Sequence, residues 1–93
     1  MTNSFVAALP ASLADAAIGD HWQVACVQAP GEMPEWATWL EEIGFLPGES
    51  VSVIARGLPG ADPLVVRIGQ STFALRRAEA GCVTVMRSAL ADA

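Results

Sequence analysis

The sequence predicts a mainly β fold: a small antiparallel β-barrel of about five strands, closed or nearly closed, with one inserted α-helix. Three observations carry this. The chain has 93 residues, 53% of them hydrophobic and only 16% charged, enough apolar material for one small core. Five short runs rich in β-branched residues are bounded by glycine and proline, the pattern of short strands in a barrel. A single segment carries helical periodicity. One domain over residues 1–93 is expected, its core at about 12–87, with Ala-rich ends that fray.

In chain order, Ser12-Leu13-Ala14-Asp15 reads as a capped helical turn, the Ser12 hydroxyl accepting from a backbone N–H of the first turn, and Gly19 closes it. His21–Val27 reads as the first strand, with Trp22, Val24 and Cys26 on one side if alternation is strict. Pro30-Gly31 ends it. The helix spans about Pro34 to Ile43, with proline suited to the first position and Gly44 to a left-handed stop. Met33, Trp36, Leu40 and Ile43 form its apolar stripe, with Trp39 on the edge and Glu35, Thr38, Glu41 and Glu42 opposite. Glu41 and Glu42 stand at the negative end of the helix dipole, where carboxylates are mildly unfavourable. Pro47-Gly48 forms a turn. Val51–Ile54, Leu64–Ile68, Thr72–Leu75 and Cys82–Val85 are the remaining strands; Arg56–Pro63 is a loop and Gly69-Gln70 a tight hairpin.

Charge is sorted along the chain. Residues 1–50 hold seven carboxylates and no base; residues 51–93 hold all five arginines against three carboxylates, for a net charge of −5. The balance disfavours nucleic acid as a partner. The absence of lysine removes Schiff-base and P-loop chemistry. Cys26 and Cys82 stand too far apart for a zinc ribbon or a redox dithiol and read as small buried residues in a reducing cytosol. No basic stretch precedes the apolar start and no uncharged run approaches bilayer length, so the expected location is cytoplasmic.

No serine sits in a nucleophile elbow and His21 is the only histidine, so no enzyme is expected. His21 with Asp20 forms at most part of a weak site for a divalent transition metal such as iron or zinc, completed by another molecule; no cofactor is required. Arg76 and Arg77 precede Glu79 on a short turn, so that one pairs locally while the other points outward; structural pairing and partner contact are both open. Trp36 and Leu40 read as core. Trp39 and Phe45 read as exposed apolar contacts. A homodimer is compatible with one acidic and one Arg-bearing face.

From Leu13 to Val85 the sequence resembles the FeoA family of small partners of bacterial ferrous-iron transport. The resemblance rests on Ile43-Gly44-Phe45 before Pro47-Gly48, the alternating Val51 and Val53, Asp62-Pro63, and Leu75-Arg76-Arg77-Ala78-Glu79-Ala80 before the last strand. Where family members often carry a basic cluster before the Leu-Gly step, this chain has Trp36, Thr38, Trp39, Glu41 and Glu42. The Pro59–Asp62 loop is one residue longer than the commonest form. The resemblance implies an SH3-like barrel acting as an adaptor on the cytosolic domain of FeoB, the GTP-binding permease, and meeting the membrane only through it. The contact with FeoB is expected from the residues themselves: a rim of Arg76 and Arg77 around an aromatic centre of Trp39 and Phe45. The alternatives are a metal-responsive regulatory SH3-like domain and a general peptide-binding module.

Overall fold

The computed structural model describes residues 11–57, 60 and 62–87. The ends expected to fray, and Leu58, Pro59 and Ala61 of the loop, lie outside the described residues. Strand β1 (Ala11–Ser12) leads into a 3₁₀ turn (Leu13–Asp15). β2 (Trp22–Val27), helix α1 (Glu35–Glu42), β3 (Ser50–Arg56), β4 (Leu64–Ile68) and β5 (Ser71–Leu75) follow. A one-turn helix α2 (Arg77–Ala80) precedes β6 (Val83–Arg87). The expected capped turn is present, with Ser12 Oγ accepting from Ala14 N–H at 3.2 Å. The expected helix loses one residue at each end, because Pro34 and Ile43 serve as its caps.

The described strands form one six-stranded antiparallel sheet in the order β1-β6-β2-β3-β4-β5. This is one strand more than the sequence suggests: β1 is two residues long and too short to carry a periodic signal, yet it pairs with Thr84 and Val85. The β4–β5 hairpin turns at Gly69-Gln70, as expected.

Two register shifts alter which side chains share a face. In β2 the pairing with β6 slips between Val24 and Cys26, so Ala25 is an extra residue. Strict alternation therefore fails: Val24 is buried opposite Val85, while Cys26 lies half-buried opposite Thr84. In β3 the same happens between Val53 and Ala55, and Ile54 is left exposed.

Helix α1 ends in a Schellman motif. Gly44 has φ +123°, a conformation that costs glycine little and other residues much. Gly44 N–H donates to Glu41 C=O at 3.1 Å and Phe45 N–H to Leu40 C=O at 3.0 Å. This reverses the chain so that Phe45 returns to the core. Phe45 is 0% exposed, as is Leu40.

The core gathers Leu13, Val24, Leu40, Phe45, Val53, Leu64, Val66, Leu75, Val83 and Val85. Trp36 and Ile43 pack against it while keeping some exposure. α2 packs against both β5 and the 3₁₀ turn, which itself packs on β6. The gap between edge strands β1 and β5 is thus bridged by side-chain packing, and the sheet encloses its core as a barrel. Arg56 Nη2, at the end of β3, donates to Ala14 C=O at 3.0 Å and also to Ala16 C=O. At the base of the following loop, Gly57 N–H donates to Pro63 C=O at 2.7 Å. A Cβ at Gly57 would stand 2.8 Å from Asp62 C=O, so only glycine fits.

Truncating fully buried side chains tests this placement. Leu40→Ala is expected to cost about 2–5 kcal/mol and Phe45→Ala about 3–5 kcal/mol, read from urea midpoints; a wild-type midpoint for Phe45→Ala contradicts its burial.

Candidate functional site

The Arg76-Arg77 pair sits at the corner where β5 gives way to α2. Arg76 keeps extended backbone (φ −68°, ψ 153°) and its N–H donates to Glu79 Oε1 at 2.8 Å, the carboxylate half of a capping box. The Arg76 guanidinium is exposed and makes no hydrogen bond or ion pair among the described residues. Arg77 is tied down twice. Its N–H donates to Asp62 Oδ1 at 2.9 Å, and its Nη2 meets Asp15 Oδ1 at 3.2 Å. The arginine that pairs is therefore Arg77, and its partners are Asp62 and Asp15, not Glu79. Glu79 holds the backbone of Arg76 instead. Arg77 thus joins the 3₁₀ turn, the loop before β4 and α2.

The aromatic pair expected beside these arginines does not form a surface. Phe45 lies inside, for the Schellman geometry above, and presents no exposed contact. The combination of a helix-stop glycine with apolar residues at Leu40 and Phe45 is the signal for this, since that motif brings the two side chains together. Trp39 remains 39% exposed on α1, which packs on β2, whereas the arginines belong to the β5–α2 corner. Sequence reasoning passed over Leu46, which is 47% exposed directly after Phe45. Glu35, Glu41, Glu42 and Glu49 are also exposed.

His21 is exposed at the start of β2 and Asp20 is half-buried beside it in sequence. Among the described residues, no group of three or more His, Cys, Asp or Glu is placed to hold a metal ion. Both cysteines are free thiols, Cys26 half-buried and Cys82 buried. Burial pushes the Cys82 thiol above its ordinary value, and the nearby Glu79 carboxylate adds to the rise. Its Sγ lies 3.6 Å from Ala78 C=O. Opposite Arg87 in the β2–β6 pair, the Trp22 ring carries the guanidinium 5.2 Å from its centroid. The buried Trp22 indole N–H has no acceptor among the described residues.

The sequence model of the FeoA domain matches residues 11–87. The chain belongs to the FeoA family. Among solved structures, FeoA of Stenotrophomonas maltophilia is 36% identical with a TM-score of 0.73, covering 81% of this chain and 88% of its own. It is described as a zinc complex of a prokaryotic SH3 domain protein and as a candidate activating factor of ferrous-iron transport. FeoA of Chlorobium tepidum is 28% identical with a TM-score of 0.70, over 85% of this chain and 71% of its own. A manganese-dependent transcriptional repressor superposes with a TM-score of 0.73 at 22% identity, over 87% of this chain and 43% of the repressor; this likeness shows a shared fold only. The comparison with curated proteins returns no match. The expected SH3-like barrel is therefore the fold of a FeoA-family domain, and the family places the chain in bacterial ferrous-iron transport as an accessory domain. No helix among the described residues is long and apolar enough to cross a membrane.

Two measurements check this geometry. The Asp15–Arg77 pair joins side chains 70% and 51% exposed, so screening by water leaves it little energy. Arg77→Ala is expected to lower stability by no more than about 1 kcal/mol; a larger loss would mean that the corner carries the fold. In native protein at mildly alkaline pH, iodoacetamide should modify Cys26 well before Cys82, and unfolding in urea should abolish the difference. Equal rates in the folded state would contradict the burial of Cys82.

Proposed function

We propose that the chain is a non-enzymatic adaptor of ferrous-iron uptake that docks on the cytosolic domain of the FeoB permease, with Arg76 in the contact. The observation that carries this is the contrast within the arginine pair. Arg77 is consumed in holding the corner together, while Arg76 presents its guanidinium to solvent from a backbone fixed by Glu79. A planar fork on a rigid corner suits a carboxylate of a partner protein, because little ordering is needed on binding. The family's place in ferrous-iron transport supports the choice of partner.

Arg76→Glu should weaken binding of purified FeoB cytosolic domain and lower iron-uptake complementation, with an unchanged urea midpoint. Arg77→Glu is the control for a mere change of charge at the corner: it should leave FeoB-domain binding close to wild type, with at most a small fall in the urea midpoint. If the folded Arg76→Glu protein binds and supports uptake fully, Arg76 is not a docking residue.

Metal is expected to bind this chain only weakly. His21 and Asp20 supply at most two ligands, fewer than a closed site for zinc or iron needs, so a neighbouring molecule would have to complete the shell. Calorimetric titration with Zn²⁺ or Fe²⁺ should show weak binding that His21→Ala removes. Tight one-to-one binding that survives His21→Ala would overturn this.

A further inference from the structure

The outer side of α1 has a chemistry opposite to that of the Arg76 corner. Glu35, Trp39 and Glu42 are spaced by four and three residues, which puts them on one stripe of the helix. All three are exposed, and Leu46 adds apolar surface just beyond the helix stop. None of Glu35, Glu41, Glu42 or Glu49 forms a side-chain hydrogen bond or ion pair among the described residues. Glu41 and Glu42 stand where the helix dipole is already negative, and the last turn has no base to offset them. Residues 1–50 contain no lysine or arginine at all. An exposed tryptophan flanked along the helix by the unpaired carboxylates of Glu35 and Glu42 is complementary to a segment that carries cations around an apolar anchor.

We infer that this face of α1 docks a Lys/Arg-rich, partly apolar segment of a protein partner. Nucleic acid and anionic lipid share the sign of the face and are repelled by it. The inference rests on the adaptor reading only for the existence of a protein partner; it adds a second contact surface and the chemistry of what that surface meets. Trp39 supplies the buried centre of the contact and the carboxylates its polar rim. Binding by this face weakens as salt rises, because the rim charges are exposed.

The test is an amide NMR titration of the folded chain with an amphipathic Lys/Leu peptide, with its Glu/Leu counterpart as control. Shifts are expected at Glu35–Leu46 and at the Trp39 indole for the Lys/Leu peptide alone, diminishing with added salt. Trp39→Ala and the double variant Glu35→Lys/Glu42→Lys should each weaken binding about tenfold or more, with the remaining spectrum unchanged. Shifts centred elsewhere, equal binding of the Glu/Leu peptide, or unchanged binding by the folded double variant overturn the inference. Repeating the titration with FeoB cytosolic domain separates the two readings. If that domain fails to bind while the Lys/Leu peptide binds as described, the adaptor reading falls and the α1 surface stands. If it binds through Arg76 while the Lys/Leu peptide leaves Glu35–Leu46 and the Trp39 indole unshifted, the adaptor reading stands and the α1 inference falls.

Discussion

A sheet that coils around its own core still has two edges, and the core is only as dry as the seam between them. In this chain the seam is filled by the segment from Leu13 to Ala16. Leu13 is fully buried, and the carbonyls of Ala14 and Ala16 are anchored from the far strand by the Arg56 guanidinium. Those carbonyls belong to a turn too short to satisfy them within itself, so a charged donor from β3 takes the place of a strand partner. α2 then rests on the turn, with Arg77 reaching Asp15 across 62 residues of sequence. Remove this packing and β1 and β5 become open edges of an unclosed sheet. The placement of the Arg76 corner depends on the same closure, because α2 is part of it.

The division of labour between the two neighbouring arginines follows from that constraint. The first position of α2 has an N–H that Asp62 accepts, and its side chain leans back toward the 3₁₀ turn. The residue before it is outside the helix, and only its backbone is engaged. Two identical side chains thus receive different tasks from one local geometry. On another part of the molecule, α1 uses one face for the core, through Leu40 and Trp36, and leaves Trp39 among carboxylates on the other. The surface therefore offers the Arg76 guanidinium, unpaired among the described residues, at the β5–α2 corner and an acidic, aromatic face on α1.

Much of this was legible in the residues themselves. The helix between Pro34 and Gly44, the strand at Leu64–Ile68, the Gly69-Gln70 hairpin and the Ser12 cap all follow from local chemistry that tertiary contacts did not override. What escaped was set by partners distant in sequence. The bulges at Ala25 and Ile54 are properties of a strand pair, and they redirect Cys26 and Ala55 away from the inner face that alternation assigns. The link from Arg77 to Asp15 joins residues 62 apart in sequence, which no local pattern reveals, whereas Glu79 is adjacent. Phe45 is a different kind of miss. Its inward turn is encoded locally, by Gly44 between Leu40 and Phe45, and an aromatic residue just past a helix stop belongs to the core more readily than to the surface.

On the reading proposed above, this FeoA-family domain works by presenting fixed surfaces to a protein partner in ferrous-iron transport. Hydrogen–deuterium exchange of the chain with and without FeoB cytosolic domain tests it most directly. Added protection is expected at residues 35–46 and 76–80, with the strands of the core unchanged. Unaltered exchange throughout the chain at saturating FeoB domain, or protection confined to segments outside those two, would contradict it.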